Sequence, residues 1–160
     1  DTLIEEHILG IPGDVFIEKH LDQCSPQEKA QIAKEFVKFN ERCLIGLLGD
    51  MRSYNYVVIP THDFDQVVYR IRPIDFDQQC YEGNLKIYLP QYFKENKNMV
   101  EMVYDRLKPN SIEQYRKEVR SAIAKRASTD GRLPHLLEIM KRDEISKPEH
   151  VEELKAAFAN

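Results

Sequence analysis

Gly49-Asp50-Met51-Arg52-Ser53-Tyr54-Asn55, running into Tyr56-Val57-Val58-Ile59, and Arg72-Pro73-Ile74-Asp75-Phe76-Asp77 decide how this chain is read. Each stretch joins an acidic motif to an apolar segment. Residues 54–59 and 66–74 are rich in β-branched and aromatic side chains, so both are expected to be strands. In the second, Val67, Tyr69 and Ile71 alternate with Val68, Arg70 and Arg72, the pattern of a half-exposed strand. Pro60-Thr61-His62-Asp63-Phe64-Asp65 reads as a hairpin connection longer than the common two-residue turn. A hairpin brings the end of its second strand beside the start of its first. Asp75 is therefore expected next to Asn55, with Asp50 on the loop that enters the first strand.

Upstream, Ser25-Pro26-Gln27-Glu28 is a helix start. Ser25 can cap, Pro26 suits the first helical position, and Glu28 completes a capping box. The helix is expected to run to about Leu48 on an apolar stripe of Ile32, Phe36, Phe39, Cys43, Ile45 and Leu47, with Gly49 ending it. Residues 1–24 read as loop punctuated by Gly10, Pro12 and Gly13, with Val15-Phe16-Ile17 as a short strand. Residues 77–89 read as loop. Helices are expected over 90–107, over 111–128 with Gln114 closing a second capping box on Ser111, over 133–142 and over 148–159. Thr129-Asp130-Gly131 is a turn between two of them. The expected fold class is α+β, mostly helical, with a β-hairpin followed by a helical bundle. One domain is expected over 1–160, divided into a linker (1–24), a half carrying the acidic motifs (25–89) and a helical half (90–160).

The chain has 160 residues and a net charge of −4. That balance lacks the basic face that nucleic acid or an anionic membrane would require. No apolar run approaches the ~20 residues needed to span a bilayer. Cys24, Cys43 and Cys80 form no CxxC pair, which disfavours a zinc site. Cys43 lies on the helix stripe and is expected to be a buried thiol. Unpaired cysteines point to a reducing, cytoplasmic setting. His7, His20, His62, His135 and His150 are scattered and carry no metal pattern. The chain begins at Asp1 without Met or a signal sequence, which suggests a piece of a longer protein.

Phosphoryl transfer needs a group that orients the acceptor hydroxyl, and oxygen donors that hold a hard cation against the phosphates. Asp50, Asn55 and Asp75 are suitable types, converging from loops held by neighbouring strands. Spacing by itself is weak evidence. Asp105 and Asn110 repeat the separation of Asp50 and Asn55, but beside Pro109 and with a helix following. Each candidate also has a plain reading: Asp50 as a solvated residue after a helix end, Asn55 as a turn residue, Asp75 as a strand terminus.

Residues 44–77 resemble the catalytic and metal-binding loops of the atypical kinases, among them phosphoinositide kinases, aminoglycoside and choline phosphotransferases and HipA-like kinases. In those families a Gly-Asp element opens the catalytic loop, Asn follows at the same spacing, and Ile-Asp-Phe is the metal-binding motif. The resemblance implies the C-terminal lobe of a kinase-like fold that uses Mg2+ and ATP. It makes Asp50 the catalytic Asp and Asn55 and Asp75 the magnesium ligands. Asp77 stands where many kinases have Gly, and either adds a carboxylate or makes a turn. The phosphate acceptor is not specified. Tyr81, Tyr88, Tyr92 and Phe93 fall in the place of an activation loop, and Asp14-Val15-Phe16-Ile17-Glu18 in that of the strand and hinge between lobes.

The chain departs from the pattern in lacking a His beside Asp50, a Gly-rich phosphate loop and a strand Lys. N-lobe elements would lie upstream, come from another chain, or be missing. Two further expectations follow: a pseudokinase or helical protein-interaction domain without catalysis, and a metal-dependent phosphohydrolase using the same acidic cluster. Arg116, Lys117, Arg120, Lys125 and Arg126 share one helix and read as a solvated face.

Overall fold

The computed structural model describes residues 9–79, 83–142 and 148–159. Its longest N-terminal helix begins as the sequence requires. Ser25 accepts from the Glu28 backbone at 3.2 Å while the Glu28 carboxylate accepts from the Ser25 N–H at 2.7 Å. In chain order the elements are β1 (Ile11–Pro12), α1 (Gly13–Lys19), α2 (Pro26–Gly46), β2 (Tyr56–Asp63), β3 (Gln66–Pro73), α3 (Lys97–Arg106), α4 (Pro109–Asp130), α5 (Arg132–Arg142) and α6 (Pro148–Ala159). The three strands form one antiparallel sheet in the order β1-β2-β3. The class is α+β and mostly helical, as expected.

Several boundaries differ from the sequence expectation. Val15-Phe16-Ile17 is helical, not a strand, and the strand lies just before it at Ile11–Pro12. Strand propensity is weak against tertiary packing. As a helix, α1 buries Phe16, stacks it on His20 one turn later (centroids 6.0 Å apart) and sets it against Tyr69. Gly13 admits this approach, because a Cβ there would collide with the Tyr56 ring and the Ser53 carbonyl. The same helix replaces the strand expected for 14–18.

α2 ends at Gly46, and Leu47, not Gly49, takes the left-handed conformation (φ 53°). Gly49 is instead needed for a close backbone approach, since Gln78 O lies 3.0 Å from where its Cβ would be. β2 starts at Tyr56 and extends through Pro60 to Asp63, so the hairpin turn is only Phe64-Asp65. Phe64 has φ 50°. Two-residue turns favour positive φ and usually advertise it with Gly or Asn, which are absent here. Pro60 is tolerated in the central strand because the pairing with β1 stops at Val58, so its missing N–H faces no partner.

The helix expected over 90–107 opens as short 3-10 turns at Pro90–Tyr92 and Lys94–Asn96, and α3 proper begins at Lys97. α4 starts at Pro109, which occupies its first turn, so Ser111 and Gln114 form no capping box. The Gln114 amide instead donates to Glu118 at 3.2 Å.

The core lies between α2, the inner face of the sheet, and helices α3 and α4. Ile32, Phe36, Phe39 and Cys43 from α2 meet Tyr56, Val58, Tyr69 and Ile71 from the sheet and Met99, Met102, Val103 and Ile112 from the later helices. Burial pushes the Cys43 thiol up to about 12. The expected solvated face of α4 is partly a packing face. Arg120 reaches the buried Glu41 carboxylate of α2 at 2.9 Å with Arg116 at 3.7 Å beside it, and Glu118 pairs with Lys38 at 2.8 Å.

β3 is an edge strand, and α2 covers it with polar side chains. Gln31 accepts from the Tyr69 N–H at 3.0 Å and donates to the Tyr69 carbonyl at 3.1 Å. Glu35 accepts from the Ile71 N–H and Arg42 donates to the Ile71 carbonyl, at 3.3 and 3.4 Å. The helix thus supplies what a fourth strand would, which protects the edge from pairing with another chain. Gln31→Leu preserves the bulk and removes both bonds. Urea unfolding is expected to show a loss of about 1–2 kcal/mol.

Candidate functional site

The acidic motifs meet where the chain leaves α2 and where it leaves β3. The Gly49 N–H donates to the Gln78 carbonyl at 3.1 Å, Leu48 pairs with Gln79 in an isolated antiparallel bridge, and the Gln79 amide donates to the Gly46 carbonyl at 3.2 Å. The segment carrying Asp75 and Asp77 is therefore laced along the segment carrying Asp50. The Ile74 N–H donates to the Asn55 carbonyl at 3.0 Å, which ties the end of β3 to the start of β2. All four residues singled out in the sequence, Asp50, Asn55, Asp75 and Asp77, fall within this weave. Asp105 and Asn110, the control pair, fall on separate helices, α3 and α4.

The loop from Asp50 to Asn55 is closed on itself. Asp50 adopts φ 54°, a conformation that Asp tolerates better than most residues. Its carbonyl accepts two donors, the Arg52 N–H at 2.8 Å and the Asn55 side-chain Nδ2 at 2.7 Å. The Asn55 amide is thereby oriented: its nitrogen faces the loop, and among the described residues nothing donates to its Oδ1. Asn55 sits in a 3-10 turn, Ser53–Asn55, not in the strand.

A buried amide holds this loop to the rest of the molecule. Asn96, fully buried, donates to the Met51 carbonyl at 3.0 Å and to the Pro90 carbonyl at 2.8 Å, and accepts from the Tyr56 hydroxyl at 2.8 Å. Met51 beneath the loop is itself buried. Nothing in the local sequence marks Asn96, because its role depends on three segments distant along the chain.

Arg52 is the second residue that sequence reasoning passed over. Its Nε donates to Asp50 Oδ1 at 2.6 Å, its Nη1 donates to Glu95 Oε1 at 3.0 Å, and its guanidinium lies 4.9 Å from the centre of the Phe93 ring. Those two carboxylates hold the guanidinium pKa above its usual value. Of the aromatic cluster, Tyr88 is core, Tyr92 is exposed and Phe93 is this stacking platform. Tyr81, like Cys80 and His7, lies outside the described residues.

Asp75 and Asp77 are coupled. Asp75 Oδ1 accepts from the Asp77 N–H at 3.2 Å. The Asp77 carboxyl is raised above the ordinary carboxylate range, first by a hydrogen bond to the Asp75 carboxyl and then by the Asp75 charge, with Asp50 adding to the repulsion. Among the described residues no three His, Cys, Asp or Glu side chains gather as a metal-holding group. The donors able to hold a hard cation are the Asp75 and Asp77 carboxylates and Asn55 Oδ1, all oxygen and partly exposed, a set that suits Mg2+ and not a soft metal.

Comparison with family models, with curated proteins and with solved structures gives no match. Among the described residues, no helix is long and apolar enough to cross a membrane.

Two outcomes test the geometry. Tyr56→Phe removes one hydroxyl and leaves Asn96 Oδ1 buried without a donor, so the denaturant midpoint is expected to fall by the equivalent of about 1–3 kcal/mol. Asp75→Asn removes the charge that, with the Asp75 hydrogen bond, raises the Asp77 carboxyl. The Asp77 midpoint in a side-chain 13C titration is expected to move down toward the usual carboxylate range.

Proposed function

We propose that the chain is a kinase-like phosphotransferase lobe that carries out Mg-ATP-dependent phosphoryl transfer to a hydroxyl acceptor. In this reading Asp50 faces the acceptor, and Asn55 and Asp75, with Asp77 beside them, hold the magnesium. The observation that carries it is the 2.7 Å bond from the Asn55 side chain to the Asp50 carbonyl. It turns a coincidence of spacing into one built loop, with the amide oxygen left as a cation donor beside the end of β3.

Catalysis of this kind is positioning plus charge stabilisation, so the protein must hold a few oxygens rigidly. The Asn96 anchor and the strand-end bond from Ile74 to Asn55 do that for the loop and for Asp75. Bound Mg2+ would neutralise phosphate charge. The Asp77 carboxyl is raised by its hydrogen bond to Asp75 and then by the Asp75 charge, and such a cation would relieve that repulsion.

A second reading has one observation in its favour. Arg52 occupies Asp50 Oδ1 at 2.6 Å, which suits a lobe that keeps the loop and does no chemistry, as in a pseudokinase or an interaction domain.

Calorimetric titration of ADP with Mg2+ into the chain and into Asp75→Ala tests the proposal, with circular dichroism confirming that both are folded. Binding by the chain that weakens at least about tenfold in the variant is expected, roughly 1.4 kcal/mol. Absence of binding by the folded chain removes the nucleotide reading.

A further inference from the structure

Glu95 is the residue of the Arg52 network with an unspent group. Its Oε1 accepts from Arg52 Nη1, but its buried Oε2 has no hydrogen-bond partner among the described residues. A buried carboxylate oxygen without a donor is costly and calls for an explanation, one of which is a functional state in which a donor reaches it. Arg52 has the donors to supply it. Its Nη1/Nη2 fork matches a carboxylate with two parallel bonds, yet here only Nη1 is on Glu95, while Nε on the other side of the guanidinium is held by Asp50. The Phe93 ring holds the guanidinium at a place from which both carboxylates are in reach.

We propose that Arg52 is a positioning residue that covers Asp50 in the resting protein, and that Glu95 is the acceptor onto which both of its arms move when Asp50 is engaged. This rests on the reading of Asp50 as the carboxylate that faces the acceptor hydroxyl. In the resting arrangement one Asp50 oxygen is occupied by Arg52 Nε. A hydroxyl that hydrogen-bonds Asp50 competes for it. Released from Asp50, the guanidinium is free to turn its Nη1 and Nη2 arms onto Glu95 Oε1 and Oε2, so one charge-assisted bond is exchanged for another and the two arrangements stay close in free energy. Such balance is what lets a ligand choose between them. The device would keep Asp50 covered until an acceptor is seated, and it makes Glu95 and Phe93 part of the site although neither faces the acceptor.

The test needs no nucleotide and no known acceptor. Asp50→Asn imitates an engaged carboxylate by removing its charge, and Asn is well suited to the positive φ at this position. The Glu95 carboxyl is followed by side-chain 13C titration in the wild type, in Asp50→Asn and in Asp75→Asn. The last removes a neighbouring negative charge without touching Arg52. Glu95 is already held below its usual range, by its own backbone N–H and by Arg52. If both arms of Arg52 move onto it, its midpoint falls further in Asp50→Asn than in Asp75→Asn. Equal midpoints in the two variants overturn the proposal.

A second measurement stands independently of Asp50 variants. Glu95→Gln removes the receiving carboxylate, so Arg52 stays on Asp50 and its Nε–H is expected to exchange with solvent more slowly than in the wild type. Faster or unchanged exchange means that Glu95 merely props the arginine, and the proposal fails. Because ligand is absent from both measurements, their outcome is separate from that of the Mg·ADP titration, which tests the site itself.

Discussion

The side chain of Asn96 is the constraint on which the candidate site depends. It is one amide, fully buried, with both protons and its oxygen engaged. Through it the Asp50–Asn55 loop, the start of β2 and the turn that leads into α3 are fixed to one another. A buried amide that satisfies each of its partners specifies a unique arrangement, because any shift leaves several polar groups without partners at once. The loop above it can therefore hold a left-handed Asp50 and present its side chains from a rigid base.

The long helix α2 plays a comparable part for the sheet. Its apolar face supplies Ile32, Ala33, Phe36, Val37, Phe39 and Cys43 to the core, and its flank of Gln31, Glu35 and Arg42 completes the hydrogen bonding of an edge strand. Its opposite flank carries Glu41, buried and met by two arginines of α4. One element thus positions the hairpin on one side and the C-terminal helices on the other. The strand ends carrying Asn55 and Asp75 are brought together as a consequence of that packing.

The site contains a tension between building and use. Asp50 is held firmly but is also occupied, by an arginine two residues away that is itself shared with Glu95. Strong charge-assisted bonds of this kind order a loop and also suppress the reactivity of the carboxylate they bind. How readily that arginine lets go sets how available Asp50 is to any ligand.

Much of the fold was legible in the sequence. The capping box at Ser25, the start of α2, the alternation in β3 and the existence of the hairpin depend on local chemistry and appear as the residues indicate, although β2 runs on to Asp63 through the expected connection. The hairpin also ties the end of β3 to Asn55, through the Ile74 N–H. The failures share a cause. Val15-Phe16-Ile17 carries strand propensity but is folded as helix by what Phe16 packs against, and Leu47 takes the left-handed cap while Gly49 lies against the Gln78 backbone. Arg52, Glu95 and Asn96 were invisible as a group, since their bonds join positions far apart along the chain. The sequence by itself determined which residues could form helices, a hairpin and an oxygen-rich motif, because periodicity and capping are local. Only the tertiary structure decided which polar groups are buried and whom they bond, because desolvation makes those choices and it acts between segments that no local pattern connects.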